Sequence, residues 1–167
     1  LSLNEAVTWA NTYLRTLQEA ERSSEKRDAL RAGDLSTMAQ RQAMQRAGVS
    51  AGELDAIVLS TATTDRLLPS TAVDLQAELG ASRAAAFDIS AACSGFIYGA
   101  TVAEGMIATG VSETILVVGS ERMSSIVDWK DRSTCVLFAD GAGAVVIEAS
   151  NASVGIESAV LHSPRDL

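Results

Sequence analysis

The sequence predicts an α/β fold, a mostly parallel five-stranded sheet with helices, one of them central and buried. Three observations predict it. Short apolar runs rich in Val, Ile and Leu alternate with longer segments of helical spacing, in the order strand, helix, strand, helix, strand. Glycine closes successive helical segments at Gly48, Gly80 and Gly110. The segment from Cys93 to Thr109 is apolar nearly all round, with Phe96, Ile97, Tyr98, Val102, Met106 and Ile107, as a helix covered on most sides must be.

In chain order, residues 3–32 read as helix, because Leu3, Val7, Ala10, Leu14 and Leu17 recur at helical steps without Gly or Pro. Gly33-Asp34 is expected to break it, so residues 1–34 form a divergent N-terminal helical segment and residues 35–167 a separate folded unit. A second helix starts with Ser36 as N-cap and shows the stripe Met38, Ala39, Ala43, Met44, Ala47. Leu54 to Ser60 ends in a buried-strand run, and Pro69 opens a helix through Leu79. Further strands are expected at 84–89, 114–119, 144–149 and 155–161. A central helix covered on both sides needs a sheet above and a sheet below. This chain supplies one sheet, so a second, equivalent half is expected.

Composition excludes several functions. The 167 residues carry a net charge of −8, with the acidic excess wholly in residues 51–167, which argues against nucleic acid or an anionic membrane as partner. No run of apolar residues is long enough to span a bilayer and no signal peptide opens the chain, so a soluble, cytoplasmic protein is expected. Two cysteines and one histidine, His162, do not make a structural zinc site, and free thiols are favoured over a disulfide.

The chemistry centres on Cys93. In Phe87-Asp88-Ile89-Ser90-Ala91-Ala92-Cys93-Ser94-Gly95-Phe96 a strand ends, small residues follow, and a long helix begins. A cysteine at a helix N-terminus has its thiolate favoured by the backbone dipole and unpaired N–H groups, which can also hold an oxyanion. Ala91, Ala92, Ser94 and Gly95 leave room for a carbonyl to reach the sulfur. The elbow alone leaves a buried structural cysteine equally open. Cys135, inside Thr134-Cys135-Val136-Leu137-Phe138, reads as a core thiol.

Ala86–Phe96 resembles the active-cysteine motif of the 3-oxoacyl-[acyl-carrier-protein] synthase III family, of thiolase-like fold. Asp128-Trp129-Lys130-Asp131-Arg132-Ser133-Thr134, Phe138-Ala139-Asp140-Gly141-Ala142-Gly143-Ala144, Leu68-Pro69-Ser70-Thr71-Ala72 and Val117-Val118-Gly119-Ser120-Glu121 are similar to further family segments in the same order. The resemblance runs from about Leu35 to Ser163 and covers the family's N-terminal half. It implies that Cys93 takes an acyl group from acyl-CoA, a substrate and not a resident cofactor. It implies that Arg132 packs against the CoA adenine, a surface ion pair with Asp128 or Asp131 being the alternative. Leu68 would close the acyl pocket of a partner subunit, with core packing as its alternative. Asp140 would cap backbone N–H groups in a turn of small residues. The family's partners are acyl-CoA, the acyl carrier protein and a second copy of itself, paired through the strand at Ala84–Ile89. Its basic carrier-docking patch lies mostly in the other half.

The sequence also departs from the family. The catalytic histidine and asparagine lie in the second half, and His162 is expected to be structural or superficial. The family's opening strand is missing, and Tyr13-Leu14-Arg15-Thr16 is a weak match to a CoA-binding segment. A relative such as hydroxymethylglutaryl-CoA synthase or a chalcone-synthase-like enzyme fits the motifs less well. A non-catalytic dimerisation or CoA-binding fragment is the remaining alternative.

Overall fold

The computed structural model describes residues 32–151, 155–156 and 158–162. Residues 1–31 of the expected N-terminal helix, Tyr13–Thr16 among them, lie outside the described residues. Helix α1 spans Ala32–Ala47, strand β1 Ala56–Ser60, helix α2 Thr71–Leu79, strand β2 Ala85–Ile89, helix α3 Gly95–Ala108, strand β3 Thr114–Glu121 and strand β4 Gly141–Glu148. The strand order is β2-β1-β3-β4, with β2, β1 and β3 parallel and β4 antiparallel to β3.

The three parallel strands form where the apolar runs lie, because strands covered on both faces need side chains that are apolar on both. All of β1 is buried, and Ile115 to Val118 of β3 are fully buried. Alternation splits these residues between two cores. Ile57, Leu59, Leu116 and Val118 join Met44, Leu54, Ala72 and Leu75 under α1 and α2. Ala56, Val58, Ile115 and Val117 join Ala103, Phe87, Ile89, Met106, Val145 and Ile147 under α3. The fold is therefore helix, sheet, helix in three layers.

Gly33 and Asp34 lie inside the described helix Ala32–Ala47, and the helix over 3–32 that they were expected to break falls almost wholly outside the described residues. Ser36 is not an N-cap. It lies inside the helix and is fully buried. The buried face is Ser36, Ala39, Gln40 and Met44; of the expected stripe Ala39 and Met44 are buried, Ala43 is half-buried, and Met38 and Ala47 are exposed. Gln40 is fully buried with neither amide atom hydrogen-bonded. An orphaned amide costs about 1–3 kcal/mol relative to a shape-matched apolar group. Gln40→Met is therefore expected to raise the unfolding free energy by about 1 kcal/mol or more, read from urea titration.

Helix α2 starts after Ser70, not at Pro69, and its first N–H groups are claimed by β2. Asp88 accepts from Thr71 N–H at 2.9 Å and Ala72 N–H at 2.8 Å. Gly80 ends the helix in the left-handed region, at φ 72°, where a Cβ would be strained. At the amino ends of the parallel strands, Asp55 ties the start of β1 to that of β3. Its carboxylate accepts from Glu113 N–H at 2.8 Å and Thr114 N–H at 3.0 Å. Those two bonds hold its pKa below the ordinary 3.8, with Arg83 helping and burial opposing. A folded-state pKa below the unfolded value adds stability above the ordinary pKa and loses it as pH falls through the folded one. Asp55→Asn is expected to melt earlier than the parent at neutral pH, with the gap closing as pH drops below 3.8.

The fifth strand does not form: residues 155, 156 and 158–162 carry no strand structure, and Val160 is exposed. An apolar segment becomes a strand only when a sheet edge accepts its hydrogen bonds, and none does so among the described residues. The described sheet thus has four strands. Among the described residues no helix is long and apolar enough to cross a membrane.

Candidate active site

Strand β2 ends at Ile89, and Ala92–Ser94 form one 3₁₀ turn that runs directly into α3. Cys93 is the middle residue of that turn and is exposed. A thiol packed as a small hydrophobe would be covered, and this one is not. Ala92 holds a left-handed φ of 44°, unusual for a residue with a Cβ and costly by roughly 1–2 kcal/mol. The turn closes through Ser94 N–H donating to Ala91 O at 3.1 Å and Gly95 N–H donating to Ala92 O. Those two donors are thus engaged inside the turn, and the expectation that they are free for an oxyanion does not hold for them.

The small residues serve packing. Gly95 was expected to give a substrate room, but it is buried against β1: a Cβ there would meet Ser60 Oγ at 1.7 Å and Ser60 Cβ at 2.9 Å. One turn on, a Cβ at Gly99 would meet Val117 Cγ1 at 3.1 Å and Ile89 Cδ1 at 3.5 Å. With Ala103 they form a narrow stripe that lets α3 lie close on the sheet. The rest of the helix is not buried as expected. Phe96, Ile97 and Val102 are 43%, 54% and 37% exposed, since the sheet covers only one side. That leaves one apolar face of α3 open, where a second layer would sit.

Other expected site residues are spread around this end. Arg132 is exposed, and among the described residues it makes no ion pair with Asp128 or Asp131. Asp131 is occupied by its own loop, accepting from Ser133 Oγ at 2.6 Å, Thr134 Oγ1 at 2.7 Å and Ser133 N–H at 2.9 Å. The Ser133 and Thr134 hydroxyls, with the Ser133 N–H, hold its pKa below the usual carboxylate value. Leu68 is 86% exposed in a cis Leu68–Pro69 loop, so it does not pack in this chain's core. Asp140 accepts from Ser124 N–H and Ser124 Oγ, both at 2.7 Å, and so caps a backbone N–H as expected. Gly141 to Gly143 are the first residues of β4 and not a turn, facing Glu121 to Gly119 in register. Cys135 lies half-buried in a turn, after half-buried Thr134 and before exposed Val136 and Leu137, not in a core strand. His162 is exposed. Among the described residues no group of three His, Cys, Asp or Glu side chains comes together to hold a metal.

Two features escaped sequence reasoning. Ser60 is the surface on which the first turn of α3 sits. Glu121, at the end of β3, accepts from Ala62 N–H at 2.9 Å and from Thr63 Oγ1 at 2.7 Å. A charged residue closing an apolar strand was the available signal.

An exposed cysteine in the turn between a parallel strand and a glycine-faced helix, at the carboxyl ends of the strands, defines one half of a thiolase-like fold. Residues 87–164 match the family model of 3-oxoacyl-[acyl-carrier-protein (ACP)] synthase III. The chain is 51% identical over 140 residues to the beta-ketoacyl-[acyl-carrier-protein] synthase III of Rhodospirillum centenum, covering 81% of this chain and 43% of that protein. Its structure superposes on the 3-oxoacyl-[acyl-carrier-protein] synthase III of Aquifex aeolicus with a TM-score of 0.71 at 50% identity, over 72% of this chain and 39% of that one. A priming β-ketosynthase of the R1128 polyketide pathway gives a TM-score of 0.71 at 40% identity, over 72% and 36%. Over these residues the chain is similar to the 3-oxoacyl-[acyl-carrier-protein] synthase III family, and it spans about two fifths of the length of the relatives it matches.

Proposed function

We propose that this chain is the acyl-accepting half of a condensing enzyme and that Cys93 is its nucleophile. The observation that carries the reading is the exposure of Cys93 at the turn into α3, at the carboxyl ends of β1, β2 and β3, where open α/β sheets bind substrates. In the proposed step the Cys93 sulfur attacks the carbonyl carbon of an acyl-CoA. The new carbon–sulfur bond forms the enzyme thioester as the bond to CoA breaks, and CoA leaves as its thiol with the proton that Cys93 gave up. Arg132, planar and exposed, suits the CoA adenine. Leu68, exposed on its loop, suits the acyl pocket of a partner subunit. Strand β2 is paired on one side only, which suits pairing with a second copy of itself.

The condensation with a malonyl thioester on acyl carrier protein, which starts fatty acid or polyketide chains in the cytoplasm, needs groups from a second half. Among these are a histidine and an asparagine that stabilise the carbanion left by decarboxylation, and a second oxyanion donor. The chain alone is therefore expected to acylate slowly and not to condense. Incubation with acetyl-, isobutyryl- and malonyl-CoA followed by peptide mass spectrometry tests this. The expected result is an acyl group on the Cys93 peptide that Cys93→Ala abolishes and Cys135→Ala leaves. Acylation of both cysteines alike, or of neither, sinks the reading.

A further inference from the structure

We infer that Glu121 is a positioning residue for Cys93, acting through the loop that follows β1. This rests on the reading of Cys93 as nucleophile. Strand alternation puts Glu121 on the face of β3 that also carries Ile115 and Val117, the face under α3. Its two oxygens hold the loop at two points, Oε1 from Ala62 N–H at 2.9 Å and Oε2 from Thr63 Oγ1 at 2.7 Å. Thr63 Oγ1 in turn accepts from Arg122 N–H at 2.7 Å, and Thr63 N–H donates to Thr61 Oγ1 at 3.1 Å. Thr61 N–H reaches the last residue of β2, donating to Ile89 O at 3.1 Å. One carboxylate therefore ties together the carboxyl ends of β1, β2 and β3.

The tie reaches the nucleophile through Ser60. The loop begins at Ser60, whose side chain is the surface against which the Gly95 backbone rests. Gly95 and Cys93 belong to one short turn, and the segment carrying that turn leaves β2 just after Ile89. Displacing the loop thus moves both the seat of α3 and the strand end from which Cys93 is hung. Thr61 and Thr63 are nearly fully buried, Glu121 is half-buried and Ala62 is exposed, so the network runs from the surface into the interior. In the parent both Glu121 oxygens accept, and a side chain of the same length can keep both contacts if the Thr63 hydroxyl turns toward Thr61 Oγ1. Glutamine keeps an oxygen for Ala62 N–H, and its amide N–H can donate to Thr63 Oγ1.

The test is carried out on the whole chain with Glu121→Ala, Glu121→Gln and Thr63→Val. The readout is the iodoacetamide alkylation rate of Cys93 divided by that of Cys135 in the same molecule, beside the melting temperature. Glu121→Ala and Thr63→Val are expected to change that ratio at least about threefold, and Glu121→Gln to bring it back near the parent value. Acyl-CoA loading at Cys93 should fall by about tenfold or more in Glu121→Ala, since small misplacements of reacting groups are costly. A lower melting temperature with an unchanged ratio in Glu121→Ala and Thr63→Val would make Glu121 structural only and overturn the inference. The alkylation ratio is read without acyl-CoA, so a parent chain that never loads refutes the proposed activity while this comparison still decides the role of Glu121.

Discussion

Gly95→Ala is expected to lower the stability of this chain by about 3 kcal/mol and to abolish selective reaction at Cys93. The added methyl would lie 1.7 Å from Ser60 Oγ and 2.9 Å from Ser60 Cβ. Rotating the hydroxyl away relieves the first clash and leaves the second, so either α3 or β1 must shift. Strand β1 is fully buried and hydrogen-bonded on both sides by β2 and β3. The helix is the softer partner, with one face uncovered, and its first turn follows directly on the one that carries Cys93. The cost should thus be felt most at the elbow. A double-mutant cycle with Ser60→Gly isolates the contact, because that substitution removes both clashing atoms and leaves only Ser60 Cα, 4.0 Å away. Ser60→Gly alone should cost about 1 kcal/mol for a glycine inside a strand. Gly95→Ala in that background should cost under about 1.5 kcal/mol, a coupling of about 1.5 kcal/mol or more, read from urea midpoints. Additive losses would show that Gly95 is small for some other reason.

This contact marks the limit of what the residues alone disclose. The parallel strands were legible because Ile57-Val58-Leu59 and Ile115-Leu116-Val117-Val118 are apolar without alternation, which only a strand covered on both faces demands. The elbow was legible because small residues fall between a strand pattern and a helix pattern. The direction of β4 was not, since an apolar strand reads alike in either sense and only its partner fixes it. The segment 155–161 ends in the apolar run Ala159-Val160-Leu161 but pairs with no strand among the described residues. Gly95 was visible as a small residue, but whether smallness serves a substrate or a neighbouring strand depends on a contact 35 positions away in sequence, at Ser60. Glu121 was visible within a family-like segment, and its two loop donors, 58 and 59 positions earlier, were not.

Substitution on the open face of α3 is expected to change its effect with context. In this chain Ile97 is 54% exposed, so Ile97→Glu removes little buried surface and should alter stability by under about 0.5 kcal/mol. It should also reduce self-association, because Phe96, Ile97 and Val102 on α3 are left uncovered. Joined to the second half proposed above, the same residue would lie under another layer. The glutamate would then be a buried charge without a partner, costing about 3 kcal/mol or more. The measurement is paired: urea unfolding and sedimentation of the chain with and without Ile97→Glu, and the same substitution in the chain fused to a family C-terminal half. Little loss in the first and a large loss in the second is the expected pattern. Equal small losses in both would mean that the apolar face of α3 faces solvent in the whole enzyme too. The central helix would then owe its composition to something other than burial between two sheets.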